Sequence, residues 1–430
     1  MKILEVTIGG YKNLEETTIM FSGGGITALV APNNYGKSNF LESLDFAYDF
    51  LQGLPDKKKK MMKYYPAIPI NNNLATAKFH FGIKFTTIFN NEEYFAEYWF
   101  EFDWEKNKNQ LGSKIVAESL KIKKNVTGKF TTIIKRNNNT AFYQSSPTGR
   151  CDKKVEITSN NLVVNKLVND DNLYYNQIIK SLLLLQFTIN ELMDIEPAFS
   201  GIQLSSKDSL VIEKELENGH NVSKFLYSLR KRNYSIYQIL LNSVKDLLPE
   251  IEDIEPQEID LKMKDNDELK NVPFTFPEKI YDLRIKEKNN NQTTSIKYVS
   301  RGTKRILLIL ATAVFAHENN IQLLAYEELE NSIHPSLLQR LLIILKELVP
   351  NLTILISSHS PYLIQYLPIE KIYLGVPNKK SIAVFKKIKK VKYKAFYKNA
   401  LDENITIGDY LFDFLLDKEL YLQDINEFFE

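Results

Sequence analysis

The stretch ALVAPNNYGKSNFLESL, residues 28–44, decides the reading of this chain. Ala28, Leu29, Val30 and Ala31 are small or apolar, as in a short buried strand, and Phe40, Leu41 and Leu44 then recur at helical spacing. Between them lies a loop ending in Gly36, Lys37 and Ser38. Strand, loop and helix in that order bring backbone N–H groups and a helix N-terminus together on an anion, which is the physical requirement of a Walker A phosphate-binding loop. Asn33, Asn34, Gly36, Lys37, Ser38 and Asn39 are the candidate ATP-binding residues. Lys37 is expected to neutralise β- and γ-phosphate oxygens, and the Ser38 hydroxyl to ligate Mg2+. Ala31 replaces the first glycine of the pattern at the cost of one methyl group, and Asn34 tolerates left-handed backbone. Tyr35 is the odder choice. The alternative, an ordinary strand-turn-helix with a chance Gly-Lys-Ser, is disfavoured by the flanking periodicity.

The rest of the composition narrows the class. With 55 Lys+Arg against 53 Asp+Glu over 430 residues, net charge gives no reason to expect nucleic acid or membrane as partner. The single Cys151 excludes a disulfide framework and a thiolate zinc site, and the five histidines show no metal-ligand spacing. The N-terminal MKILEVTIGGYKNLEE alternates as a strand does, unlike a signal peptide. No run approaches the ~18 apolar residues of a membrane span. A cytoplasmic protein without a membrane partner is expected.

Along the chain, residues 1–50 read as two short strands, the loop and a helix, and residues 54–73, LPDKKKKMMKYYPAIPINNN, as a loop or exposed hairpin. From Ala75 the period becomes two, with Phe79, Phe81, Ile83 and Phe85 on one face, opening an antiparallel β-rich section over about residues 75–158. Helical spacing takes over near residue 172, without the sustained heptads of a coiled coil. After a polar linker and a strand DLRIKE, residues 282–287, residues 293–364 alternate apolar helices with the apolar strands IQLLAY and LTILIS, the signature of a parallel sheet covered on both faces. The class is α/β. The expected domains are 1–170, an N-terminal lobe with the loop and the β-rich section; 171–272, a helical insertion; 273–378, a C-terminal lobe; and 379–430, a basic then acidic tail.

Ligands of parallel sheets sit beyond the C-terminal ends of the strands. One such strand ends in Glu327 and Glu328: one acid can position Mg2+, and the other can act as general base toward water. A pair of acids opening a helix is the plain alternative. The other strand ends in Ser357, Ser358, His359 and Ser360, where His359 is read as a γ-phosphate sensor. YVSRGTKR, residues 298–305, opens a helix with Ser300 and the Gly302 N–H as a second anion site, although Ser is also simply a good N-cap.

The order of these motifs resembles the ABC-type P-loop ATPases of the RecF, SMC and OLD branch. In that resemblance APNNYGKS is Walker A, VSRGTK the signature, LLAYEE Walker B, LENSIHP the D-loop and SSHSP the H-switch. It covers residues 1–50 and 273–375, and the combination is far more specific than any one motif. It implies an ATPase head with a mixed or parallel sheet, and a head-to-tail homodimer or higher homo-oligomer. Two ATPs would lie between Walker A of one subunit and the signature of the other. Glu328 and His359 carry over as catalytic residues, Ser38 and Glu327 as Mg2+ ligands, Ser300 and Gly302 as the signature acting in trans, and Asn331 as the D-loop residue.

Departures from the pattern are Glu327 where an aspartate is usual, Arg301 for a glycine, Ala31 and Tyr35. They point to retained ATP binding with slow hydrolysis, which suits a switch. There is no Cys-x-x-Cys hook and no long heptad arm. The 71 residues after His359 hold no Asp-x-Asp of a TOPRIM nuclease, and Asp265-Asn266-Asp267 reads as solvated loop. The remaining resemblance is to stand-alone OLD-like ATPases of anti-phage systems, with a separate effector protein as partner. A RecF-like repair ATPase that binds DNA is the alternative, and a scaffold that binds nucleotide without turnover the third. In the tail, residues 379–398 hold nine lysines and four aromatics. They read either as a nucleic-acid track with Tyr393, Phe396 or Tyr397 stacking on bases, or as a lysine-blunted edge strand followed by an amphipathic helix.

Overall fold

The apolar face expected at Phe79, Phe81, Ile83 and Phe85 is buried in the computed structural model of the chain, on the strand Phe79–Phe89. The structure describes all residues except 22, 90, 107–111, 126, 193–196, 200–204, 207–220, 261–273, 276–278, 377–380 and 417–426. The residues of interest sit on or between β1 (Gly25–Val30), α1 (Lys37–Gln52), α2 (Pro55–Met61), β2 (Phe187–Glu191), α3 (Arg301–Glu318), β3 (Leu323–Glu327), α4 (Pro335–Leu348), β4 (Thr353–Ser358), β5 (Ile372–Gly375), β6 (Phe385–Lys386), α5 (Lys390–Asp402) and α6 (Ile407–Leu416). The chain divides into two units: Met1–Phe187 with Thr353–Glu430, and Thr188–Leu352.

In the first unit the β-rich section is part of an eight-stranded antiparallel sheet. It runs from Thr17–Met20 through Lys2–Gly9 and Phe79–Phe89 out to Cys151–Val155, so the N-terminal strand that reads separately in the sequence joins it. Helix α1 packs on this sheet through large rings: Phe50 stacks on Phe100 and Phe102 at centroid distances of 5.1 and 4.7 Å, and Phe46 meets Phe79 at 5.1 Å. Such pairs contribute about 0.5–1.5 kcal/mol each beyond the burial of their area. They fix the helix whose first turn carries Lys37 and Ser38. The same unit holds a second sheet in which β4 and β5 flank β1 in parallel and β6 closes the edge antiparallel to β5.

Residues 54–73 are not a hairpin: Pro55 starts α2, and two short 3-10 turns follow. Proline at the first helical position and lysines behind it are compatible with a helix. The lysine run is also less solvated than its composition suggests. Lys58 is fully buried, donating to the Gly53 carbonyl and, at 2.8 Å, to Asn165 Oδ1, and burial lowers its pKa to about 8.

The second unit pairs a three-stranded antiparallel sheet, Ile251–Asp260, Lys279–Glu287 and Thr294–Ser295, with the helices Val222–Arg232 and Tyr234–Leu247. The helical spacing expected from residue 172 holds for Asn176–Leu183, but Phe187–Glu191 after it becomes the strand β2, which lies beside β3. Helix α3 is buried from Lys304 to Val314, so it is apolar almost all round. Tyr326 on β3 locks against it, its hydroxyl donating to the Ile309 carbonyl at 2.7 Å and lying 2.9 Å from Thr312 Oγ1. Among the described residues no helix is long and apolar enough to cross a membrane.

In the tail, β6 is an edge strand and α5 is amphipathic, with Phe396 sunk among Tyr410, Phe414 and Phe428. Phe396 is therefore not available to stack on a base, because its ring is the anchor that holds α5 to α6; Tyr397 is half exposed. Lys392 pairs with Glu427 rather than standing in an unbroken basic track. Asp265-Asn266-Asp267 lies outside the described residues.

Candidate functional site

The loop between β1 and α1 has the backbone its sequence requires. Asn34 adopts φ 60°, the left-handed conformation its short polar side chain tolerates, and Gly36 caps α1 at φ 115°. A Cβ on Gly36 would lie 2.7 Å from the Ala383 methyl and 2.9 Å from Asn13 Oδ1, so glycine alone fits there. As N-cap it offers no side chain to the first-turn N–H groups, which leaves their direction and the helix dipole to an anion. Lys37 is buried, and its ammonium lies over the loop, donating to the carbonyls of Ala31 at 2.9 Å and Pro32 at 3.0 Å. Ser38 is exposed in the first turn, Asn39 donates to Asn13 Oδ1 at 2.7 Å, and Asn33 is exposed at the loop tip. Left-handed glycine, preplaced ammonium and an exposed hydroxyl in one loop suit a Mg2+-bound triphosphate, since hydroxyl oxygen is the hard donor that Mg2+ takes.

Asn13, which the sequence reading passed over, ties the turn after the first strand to this loop, also reaching the Tyr35 carbonyl at 3.4 Å. Gly375 was missed too, and it explains both departures in the loop. A Cβ there would sit 2.5 Å from the Ala31 methyl and 2.6 Å from the Tyr35 ring. Glycine on β5 thus makes the room that the missing loop glycine would have made. Tyr35 directs its side chain onto the edge strands, donating to the Val376 carbonyl and meeting Phe385 edge-on at 5.7 Å. Gly375→Ala is expected to cost about 1–3 kcal/mol through overpacking and to weaken ATP binding by displacing the loop. Thermal unfolding and nucleotide affinity read it, with Ala31→Gly added to restore the space; unchanged melting and affinity in the single variant would contradict it.

His359 belongs to the same unit. Its strand β4 pairs in parallel with β1, Ser358 opposite Val30, and Ala31 N–H donates to the Ser358 carbonyl at 3.2 Å. His359 and the phosphate loop therefore leave neighbouring strands at the same level. Ser358 Oγ accepts from the Ser360 N–H at 2.9 Å, which shapes the turn that presents His359.

The second unit holds the remaining candidates. Glu327 ends β3 and Glu328 follows at φ 48°, in a turn; the next helix, α4, begins only at Pro335. The acids therefore do not open a helix. The Asn331 side-chain amide donates to the Glu328 carboxylate, and Asn331 N–H to the Glu328 carbonyl at 3.1 Å, so the two candidates hold one another in a closed turn. Ser300 is exposed and caps α3, accepting from the Thr303 N–H at 3.1 Å. Gly302 approaches the same turn as Glu328: a Cβ on it would lie 3.0 Å from the Ser332 carbonyl oxygen. Ser300 Oγ also lies 2.8 Å from Thr303 Oγ1, and an exposed hydroxyl that caps the helix can still turn its proton toward another partner.

Two further groups were not legible in the sequence. Asn190, on β2 beside β3, is 2 % exposed, and neither polar atom of its amide has a hydrogen-bond partner among the described residues. Such burial costs about 1–3 kcal/mol unless a water, ion or ligand completes it, which fits a polar group belonging to a ligand site. Arg305 on α3 is equally buried, and loss of water lowers its pKa to about 10 against the pull of Glu330 and Glu328. No group of three or more His, Cys, Asp or Glu able to hold a metal occurs among the described residues.

Residues 1–364 match the AAA ATPase domain family. No curated protein matches the chain. Among solved structures it is similar to an SMC head bound to the C-terminal winged-helix domain of ScpA, at 14% identity and TM-score 0.51, covering 92% of this chain and 100% of that one. It is also similar to the SMC head domain from Thermotoga maritima at 12% identity and TM-score 0.43, covering 90% and 100%. For the recombination mediator RecF the values are 14% and 0.37, covering 89% and 97%. The first of these likenesses extends to the fold, an α/β P-loop ATPase head with mixed and antiparallel sheet regions and helical insertions. With the family matched from residue 1 through the turn after His359, the chain belongs to the AAA ATPase domain family.

Proposed function

We propose that this protein is a slow ATP-driven switch that associates with a second copy of itself through bound ATP, and whose ATP state is read by a separate effector, in the setting of anti-phage defence. The observation that carries the nucleotide part is the preplaced Lys37 ammonium over a loop closed by left-handed Asn34 and Gly36. Lys37 binds β- and γ-phosphate oxygens, and the first-turn N–H groups with Asn39 orient them. Mg2+ bound with ATP supplies charge neutralisation on the phosphates, and Ser38 and Glu327 are its proposed protein ligands. Glu328 takes the proton of the attacking water, and Asn331 keeps its carboxylate in place. His359 senses the γ-phosphate. Ser300 and Gly302, at an exposed helix end, meet the nucleotide of the other subunit.

The defence role rests on resemblance, and the unbroken basic track that a DNA-binding reading needs is weakened by the buried Phe396 and the paired Lys392. A site completed by two subunits makes specific ATPase activity rise with protein concentration until the dimer saturates. Turnover per subunit that is flat over a hundredfold dilution series would contradict the shared site, and strong stimulation by DNA alone would favour the repair reading.

A further inference from the structure

We propose that Arg305 is a positioning residue that couples the signature end of α3 to the catalytic turn at Glu328, so that contact with one nucleotide is transmitted to the base serving another. The inference rests on the reading of Glu328 as base and of Ser300 and Gly302 as a contact made in trans.

One guanidinium braces three elements. Its Nη1 donates to the Leu192 carbonyl, just past β2, and its Nη2 to the Glu328 carbonyl, just past β3. Arg305 itself lies in the second turn of α3, five residues after Ser300. The first turn of the helix meets the same catalytic turn again, where Gly302 approaches the Ser332 carbonyl. A planar fork that bonds two carbonyls has little freedom, whereas a lysine could keep only one such bond in the same geometry. Glu328 and Ser332 both hold positive φ, 48° and 61°, so the turn is a strained segment that stays in place only while its neighbours hold it. A small movement of α3 at Ser300 and Gly302 must therefore pass to the Glu328 backbone through bonds already made. Leu192 follows Asn190 by two residues, so the same side chain also holds the strand end that carries that buried amide.

The test is a double-mutant cycle on ATP turnover with Arg305→Lys and Glu328→Gln, with nucleotide affinity measured for each and each assayed below its own melting temperature. Arg305→Lys is expected to lower kcat roughly 10- to 100-fold, the scale of a misplaced catalytic group, with nucleotide affinity unchanged. In the Glu328→Gln background it is expected to lower the residual rate no further, because the group it positions can no longer accept the proton. Arg305→Met, which removes both bonds, is expected to fall below Arg305→Lys, so that the conservative variant counts as partial rescue. Equal fold-losses from Arg305→Lys in both backgrounds, or wild-type turnover in Arg305→Lys, would overturn the coupling alone. Wild-type turnover in Glu328→Gln would remove the base, and the coupling with it.

Discussion

Glu328→Gln is expected to slow ATP turnover by roughly 100- to 10,000-fold while leaving nucleotide affinity intact, the range associated with loss of a general base. The structure makes the substitution a clean one. Glu328 stands in a closed turn, with its carboxylate accepting from the Asn331 amide. Glutamine keeps a carbonyl oxygen that can accept the same bond, and the left-handed backbone costs both side chains alike. What glutamine lacks is the ability to take a proton. Steady-state turnover and single-turnover kinetics with labelled ATP separate the chemical step from binding. Wild-type chemistry in the variant would remove the assignment and transfer the role to Glu327, His359 or a residue outside the motifs.

Lys37→Ala is expected to lose ATP binding by at least about a hundredfold, since a charge-assisted contact contributes about 1.5–3 kcal/mol and this ammonium meets more than one phosphate oxygen. Lys37 already lies over the loop, donating to the carbonyls of Ala31 and Pro32, so its ammonium is held beside the place the phosphates would take. Affinity measured by equilibrium titration of the purified variant, with its melting temperature as control for folding, reads the effect. Wild-type affinity in a folded Lys37→Ala protein would show that the nucleotide, if bound, is held elsewhere.

Much of the fold is legible in the sequence because the decisive elements are either strongly periodic or strongly apolar. Phe79, Phe81, Ile83 and Phe85 announce one face of a strand, and the runs at Leu323–Glu327 and Thr353–Ser358 announce buried strands. The phosphate loop is legible for a similar reason: its strand and helix are visible on either side. The failures have a common cause. Residues 54–73 read as a loop or exposed hairpin because prolines, a lysine run and an asparagine run break the pattern, and only the fold supplies the Gly53 and Asn165 oxygens that let Lys58 be buried. β2 hides in a stretch with helical spacing because a five-residue strand, FTINE, is too short for its period to be told from that of a helical turn.

The candidate site divides in the same way. Lys37, Ser38, Ser300, Glu327, Glu328 and His359 stand out because motif order singles them out, and Asn34 because its conformation follows from its chemistry. Gly375, Asn13 and Arg305 do not, because each acts on a partner far away in the chain: Gly375 on Ala31, Asn13 on Asn39, Arg305 on Leu192. Tyr35 reads as a defect in the loop until the glycine that accommodates it is found some 340 residues later. A local pattern shows what a motif contains, whereas the space around it is set by the fold.

ATP is proposed to hold two copies of this chain together through the exposed end of α3. This association is tested most directly by the mass in solution of Glu328→Gln with and without ATP, repeated with Ser300→Arg added. Slow chemistry preserves the bound ATP, and the arginine blocks the helix end while leaving the phosphate loop itself unchanged. Doubling of mass, or a larger assembly, is expected with ATP in Glu328→Gln, and a monomer in the double variant. An ATP-driven association that survives Ser300→Arg, or a mass that ignores ATP, would contradict it.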